Sequence, residues 1–152
     1  MNLYEAERQA KLLMTAHGIT QQGWRFEWDN AVRRFGQTRY NDRVISLSRK
    51  LTVQRSVDSV RNTMLHEIAH VKAGYKNGHN ATWRSIAISI GCDGKRCSDD
   101  PIEIEYKYIA KCPNGHLGKR YVRKPRASSR PRSCGKCSNV YNPKYALKVV
   151  AL

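Results

Sequence analysis

The sequence predicts an α+β domain followed by a small β appendage. Three observations carry this reading. Apolar residues recur at helical spacing in three separate stretches. Short segments of strand-like alternation lie between the first two of them. The final third of the chain then loses its acids and turns to paired cysteines, tight turns and short strands.

Residues 3–16 place Leu3, Ala6, Ala10, Leu13 and Met14 on one helical face, and His17-Gly18 ends that helix. Residues 24–30 alternate aromatic with charged side chains, as a half-buried strand does. Gly36 precedes a hairpin with strands at Thr38–Tyr40 and Val44–Ser48 and a turn at Asn41-Asp42. Ser56 or Asp58 caps a helix that runs to about Gly74, and Asn80 caps another from Ala81 to Ile90, stopped by Gly91. Residues 92–102, with their Gly, Ser, Asp-Asp and Pro, read as a linker loop. Beyond it we expect strands at Tyr106–Lys111 and Arg120–Arg123, with a turn at Pro113-Asn114-Gly115 between them and a loop from Pro125 to Pro131. We divide the chain into a domain at 1–105, a basic module at 106–142 and a tail at 143–152.

With 152 residues, the chain suits one ordinary domain plus an appendage. A chain of this size buries about 68–70% of its unfolded surface, enough for a core without disulfide staples. No run of 18 apolar residues occurs, which excludes a membrane-spanning helix, and the start of the chain lacks the basic-then-apolar pattern of a secretory signal. Five cysteines in such a chain point to thiols or metal rather than bridges. The net charge of +16 is unevenly placed. Of 28 basic residues, 16 lie with all 12 acids in residues 1–105, and the other 12 lie in residues 106–152 without one acid. Such a module attracts a polyanion, most simply nucleic acid, although a solvated loop that aids solubility is the plainer alternative.

The pattern His66-Glu67-Ile68-Ala69-His70 falls on the buried-looking helix. Two histidines four apart lie about 40° apart around a helix, so both rings reach one ion, and the intervening glutamate can reach a water there without being a ligand. His79 follows Gly74 and Gly78, which let the chain turn back to bring a third imidazole. Three protein ligands leave a fourth position open, the mark of a catalytic rather than a structural zinc. The plainer alternative is two helix histidines with an incidental glutamate. A second group pairs Cys112-Pro113-Asn114-Gly115-His116 with Cys134-Gly135-Lys136-Cys137. Two ligand pairs on tight turns, separated by strand-loop-strand, describe a zinc ribbon whose closed Cys3His set would hold a structural zinc. A redox pair at Cys134 and Cys137 with bystanders is its alternative. Cys92 and Cys97 are expected to be free thiols.

The chain resembles the SprT-like metalloprotease family, which includes bacterial SprT and the eukaryotic Spartan proteases. The likeness rests on the His66–His70 helix, on Gly78-His79-Asn80-Ala81-Thr82-Trp83, on the hairpin from Gly36 to Leu51 and on the trailing cysteine module. It covers about residues 3–142 and implies a zincin-like fold, a zinc-dependent peptidase and a link to nucleic acid. Eukaryotic members degrade proteins trapped covalently on DNA. No tail with Spartan's partner-binding motifs is present, and Cys-x3-His stands where many relatives use cysteines.

On this reading His66, His70 and His79 hold a catalytic zinc, Glu67 is the general base and then acid, and Cys112, His116, Cys134 and Cys137 hold a structural zinc. Tyr75 and Arg84 are candidates for stabilising an oxyanion. Lys119, Arg120, Arg123, Lys124, Arg126, Arg130 and Arg132 would meet DNA or RNA phosphates, and exposed tyrosines of this module, in which Tyr108, Tyr121 and Tyr141 are interleaved, would favour single strands by stacking. The expected partners are therefore nucleic acid and protein substrates, with no membrane, for a monomer in the cytoplasm or on the nucleoid of a bacterium, or in the host cytoplasm if the chain is viral. Two rivals remain open: a non-enzymatic nucleic-acid binder with two structural zincs, and a zinc hydrolase whose basic face serves acidic proteins.

Overall fold

The computed structural model describes residues 1–126 and 131–152. The chain divides into two compact units, Met1–Glu103 and Ile104–Leu152. Both mix helical turns with small sheets, an α+β architecture with a cysteine cluster in the second unit.

Helix α1 spans Leu3–Ala16, capped where Asn2 Oδ1 accepts the Tyr4 N–H at 2.8 Å. Ala6, Ala10, Leu13 and Met14 form its buried face, the stripe that helical spacing predicts. Strands β1 (Arg25–Asp29), β2 (Gly36–Arg39) and β3 (Val44–Ser48) make one sheet in the order β1-β3-β2. The expected hairpin is present, with Gly36 opposite Leu47 and Arg39 opposite Val44. Strand β1 lies parallel to β3 on its far side, from Arg25 opposite Val44 to Asp29 opposite Ser48. Every residue of β3 is buried, as suits the middle strand. Among the described residues, strand β2 therefore has one paired edge and one free edge.

A short helix α2 (Arg49–Thr52), which the sequence reading passed over, follows β3 directly, with Ser48 Oγ accepting the Leu51 N–H. Helix α3 spans Val57–Ala73, and Ser56, not Asp58, is its cap. Val60, Thr63, Met64, Leu65, Glu67, Ile68 and Ala69 are buried, so the helix is covered on most of its circumference. Gly74, at φ 82°, takes a conformation that costs a side-chain-bearing residue about 1 kcal/mol or more and ends the helix. Helix α4 (Ala81–Ser89) starts where Asn80 Oδ1 accepts the Trp83 N–H at 3.1 Å. Trp83 and Ala87 join the core of α1, β3 and α3.

Residues 92–102 are not a linker. Arg55, with its side chain only 4% exposed, donates to Asp100 Oδ2 at 2.6 Å and Thr63 Oγ1 at 2.7 Å, and stacks 3.7 Å over the Phe35 ring. The Asp93 N–H also donates to Asn62 Oδ1. A composition rich in turn formers signalled the irregular backbone correctly but could not show what the segment packs against.

The second unit holds β4 (Tyr108–Lys111), β5 (Leu117–Tyr121) and β6 (Lys148–Ala151), in the order β5-β4-β6, both pairings antiparallel. Residues 143–152 thus do not trail as a tail. Pro143–Tyr145 form a helical turn, and β6 pairs Lys148 with Lys111 and Ala151 with Tyr108. Strand β5 starts earlier than the expected Arg120, because pairing resumes at Lys111 opposite Leu117, immediately across the turn at Cys112–His116. No helix among the described residues is long and apolar enough to cross a membrane.

Candidate functional site

Helix α3 presents His66 and His70 one turn apart. Gly74 (φ 82°) and Gly78 (φ 40°, ψ −126°) reverse the chain so that His79, just before α4, faces them. The three Nε2 atoms lie 3.3 Å (His66–His70), 3.1 Å (His70–His79) and 3.0 Å (His66–His79) apart. Three imidazole nitrogens so close cannot satisfy one another, since a neutral ring offers a single N–H. A tetrahedral ion bound at about 2.0–2.1 Å would leave such donors about 3.3 Å apart, so the donor set fits one metal ion. Burial and the neighbouring imidazoles hold His66 and His70 neutral, with pKa values pushed down to about 4, which keeps their lone pairs free. Trp83, 1% exposed, packs against all three rings at centroid distances of 4.7, 5.3 and 4.6 Å.

Glu67 is buried beneath them. Thr38 Oγ1 lies 2.8 Å from Glu67 Oε2 and 3.0 Å from its backbone carbonyl oxygen. Burial pushes the carboxyl pKa up to about 7, against the hydrogen bonds from Thr38 and the Arg34 charge, which pull it down. Gly36 sits against the same carboxylate: a Cβ there would stand 3.0 Å from Oε1 and from Thr63 Cγ2. A cleft of about 530 Å³ opens over the group, walled by β2, α3, the Tyr75–His79 turn and residues 93–98. Tyr75 lines it, 70% exposed, whereas Arg84 is not among its lining residues and lies instead against Gly94.

The second cluster also converges. His116 Nδ1 lies 3.6 Å from Cys112 Sγ, 3.3 Å from Cys137 Sγ and 3.6 Å from Cys134 Sγ, and the Cys112 and Cys137 sulfurs are 4.0 Å apart. Mixed sulfur and imidazole donors on one tetrahedral ion would stand about 3.4–3.8 Å apart, so this set also fits a metal. Burial opposes ionisation of Cys134, but the Lys136 backbone, Cys137 and His116 outweigh it and draw the thiol pKa down to about 7. Cys92 is buried and Cys97 exposed, both free.

Lys119 and Arg120 lie exposed on β5, and Arg123, Lys124, Arg126 and Arg132 lie exposed beyond it; Arg130 falls outside the described residues. Tyr141 is 51% exposed, but Tyr108 and Tyr121 are half-buried, the latter with Lys119 Nζ 5.8 Å from its ring. Sequence reasoning missed Thr38, Gly36 and Arg34, which reach the histidine helix only through tertiary packing.

Fold and site together define a mixed α+β protein carrying two candidate metal-binding groups, one of three histidines on a helix and its following turn and one of three cysteines and a histidine. The family model for the SprT-like family matches residues 5–104, and the chain belongs to that family. Comparisons with curated proteins and with solved structures found no match.

Proposed function

We propose that the chain is a zinc-dependent endopeptidase of zincin-like type that works on proteins held near nucleic acid. The observation that carries this is the convergence of three neutral Nε2 atoms within 3.3 Å of one another, next to a buried glutamate at the floor of a cleft. Zinc held by His66, His70 and His79 would polarise a peptide carbonyl and lower the pKa of a water to about 7. Glu67 takes the proton from the attacking water and returns it to the leaving amine. A pKa of about 7, set chiefly by burial, suits a group that must accept and release a proton near neutrality. Thr38 fixes the carboxylate's orientation. The free edge of β2 runs along the cleft through Gly36, Gln37 and Thr38, and a substrate can lie extended against it with backbone hydrogen bonds.

In the second unit Cys112, His116, Cys134 and Cys137 would hold a structural zinc, and the basic surface of residues 106–152, which carry no acid, would engage phosphates. With about four contacts to single-stranded nucleic acid or duplex, the logarithm of affinity should fall with that of salt at a slope of about −3 to −4. Binding there raises the local concentration of nucleic-acid-bound proteins and can supply selectivity to an otherwise permissive cleft. The non-enzymatic alternative needs a fourth protein ligand at the histidine group; among the described residues that group numbers three. The test is cleavage of casein and of the chain itself, with and without single-stranded DNA, by wild type and Glu67→Gln. Zinc-dependent cleavage lost in the variant supports the reading. Near-normal turnover of Glu67→Gln removes Glu67 as the base, and an inert zinc-loaded wild type removes the enzyme.

A further inference from the structure

The cleft is walled by cations on two loops. Arg33 and Arg34 lie between β1 and β2, and Lys95 and Arg96 lie in the segment after α4. Two of them are occupied: Arg34 pairs with Asp29 at 2.7 Å and Lys95 with Asp99 at 2.9 Å. Arg33 and Arg96 are exposed and have no ion pair among the described residues. The acids that line the cleft do not neutralise them. Glu67 is buried beside Thr38, and Asp93 Oδ1 accepts the Lys95 N–H at 3.0 Å.

We propose that Arg33 and Arg96 make the cleft selective for peptide segments that carry carboxylates close to the bond being cleaved. This rests on the endopeptidase reading and names its substrate class. Arg33 stands three residues before Gly36, at the entrance to the free edge of β2, so a peptide extended along that edge brings its flanking side chains to the guanidinium. Arg96 faces the same space from the other wall. A guanidinium offers a planar fork of donors that matches a carboxylate, and clefts with low-dielectric walls focus such fields. Phosphate is the competing anion, but the basic residues of 106–152, a stretch without an acid, provide for it separately, whereas the first unit offers two guanidiniums without an ion pair among the described residues beside a peptide-binding edge.

The experiment compares three peptides of one sequence whose residues flanking the scissile bond are Glu, Gln or Lys. They are tested with the zinc-loaded full chain, Arg33→Ala/Arg96→Ala, and Arg33→Glu/Arg96→Glu, each checked for folding by circular dichroism. Cleavage gives kcat/KM, and fluorescence anisotropy gives binding to the same proteins carrying Glu67→Gln. We expect the wild type to favour the Glu peptide over the Gln peptide about five-fold at low salt, as two partly screened ion pairs provide. The preference should collapse in the alanine variant and turn towards the Lys peptide in the glutamate variant. Equal handling of Glu and Gln peptides by wild type, or a Glu preference that survives both variants, overturns the inference. If no peptide is cleaved, the protease reading fails while binding still decides the cleft: charge-selective binding that depends on the two arginines upholds it, and charge-blind binding ends it. An oligonucleotide whose affinity falls more than that of the Glu peptide in the alanine variant assigns both guanidiniums to phosphate and also overturns it.

Discussion

Thr38 on the free-edged strand β2 holds Glu67 of helix α3, with Oγ1 2.8 Å from Oε2. The contact joins sheet to helix at the group assigned the proton transfers, and it favours the charged carboxylate against burial. Thr38→Val removes this donor at nearly constant volume. The Glu67 pKa should then rise further, so the acidic limb of the pH–rate profile moves upward and cleavage at pH 7 falls about ten-fold. Thr38→Ser should restore most of the loss. A profile unmoved in Thr38→Val would mean that the hydroxyl does not tune the base.

Gly36 is required for its lack of a side chain. A Cβ would meet Glu67 Oε1 and Thr63 Cγ2 at 3.0 Å and Glu67 Cγ at 3.1 Å, so the carboxylate would have to shift. Gly36→Ala should cost about 1–3 kcal/mol in stability through overpacking, and on the order of a hundred-fold in kcat through displacement of the carboxylate. Metal content should stay at the wild-type value, because none of the three imidazoles is among the nearest atoms. Loss of zinc together with activity would point instead to a collapsed site.

The two glycines that reverse the chain, the cap at Asn80 and the four-residue spacing of His66 and His70 are local signals, and each was legible in the sequence. So was the hairpin, because alternation over Val44–Ser48 and a polar turn need no distant partner. The parallel pairing of β1 with β3 was not legible, since strand periodicity carries no partner or direction. Nor was the role of residues 92–102, whose contacts with Arg55 and Asn62 lie some 30 to 45 residues away in sequence. Thr38 and Gly36 looked like ordinary strand residues because their importance depends on which helix packs over them.

Asp29 organises the turn that carries Arg33 and Phe35. It accepts from the Ala31 N–H at 2.8 Å, Arg34 at 2.7 Å and Ser46 Oγ at 2.8 Å. Burial alone would raise its pKa, but these donors outweigh burial and hold it below the ordinary 3.8. The unfolded chain therefore takes up this proton first as pH falls. The stabilisation is complete above about pH 4 and is lost as pH drops through the lower folded-state value. Asp29→Asn should melt about 3–6 °C below wild type at pH 7, for about 1–2 kcal/mol, and the gap should narrow below pH 3.8. Melting curves whose separation does not change with pH would show that the charge at Asp29 contributes nothing.

The Arg55–Asp100 pair fastens the wall of the cleft. Asp100→Ala leaves a guanidinium with 4% exposure facing Thr63 and Phe35 without its anion. The expected cost is about 2–3 kcal/mol, less than for a fully enclosed pair because Asp100 is itself 29% exposed. Trypsin should cut faster at Lys95 and Arg96, and cleavage of peptides should weaken, since the same segment walls the cleft. Unchanged proteolysis at those two sites would show that Asp100 does not fasten the segment.

The second unit has little to fold around. Its buried hydrophobic residues among those described are Ile109, Ala110, Cys112 and Cys134, two of them thiols. So small an apolar core offsets little of the ordering of about 45 residues, and a metal held by the cysteine cluster would supply folding free energy. Cys134→Ser/Cys137→Ser should therefore lower metal content from two ions per chain to one, measured by plasma emission. It should also abolish the dispersed amide spectrum of residues 104–152 and remove salt-dependent binding to oligonucleotides. The first unit holds its own core, and its histidine group lies wholly within residues 66–79, so cleavage of a short peptide in the absence of nucleic acid should persist. Retention of two ions by the double variant would mean that the cysteine cluster is not a metal site. Loss of both ions would mean that the histidine group depends on the second unit for its integrity.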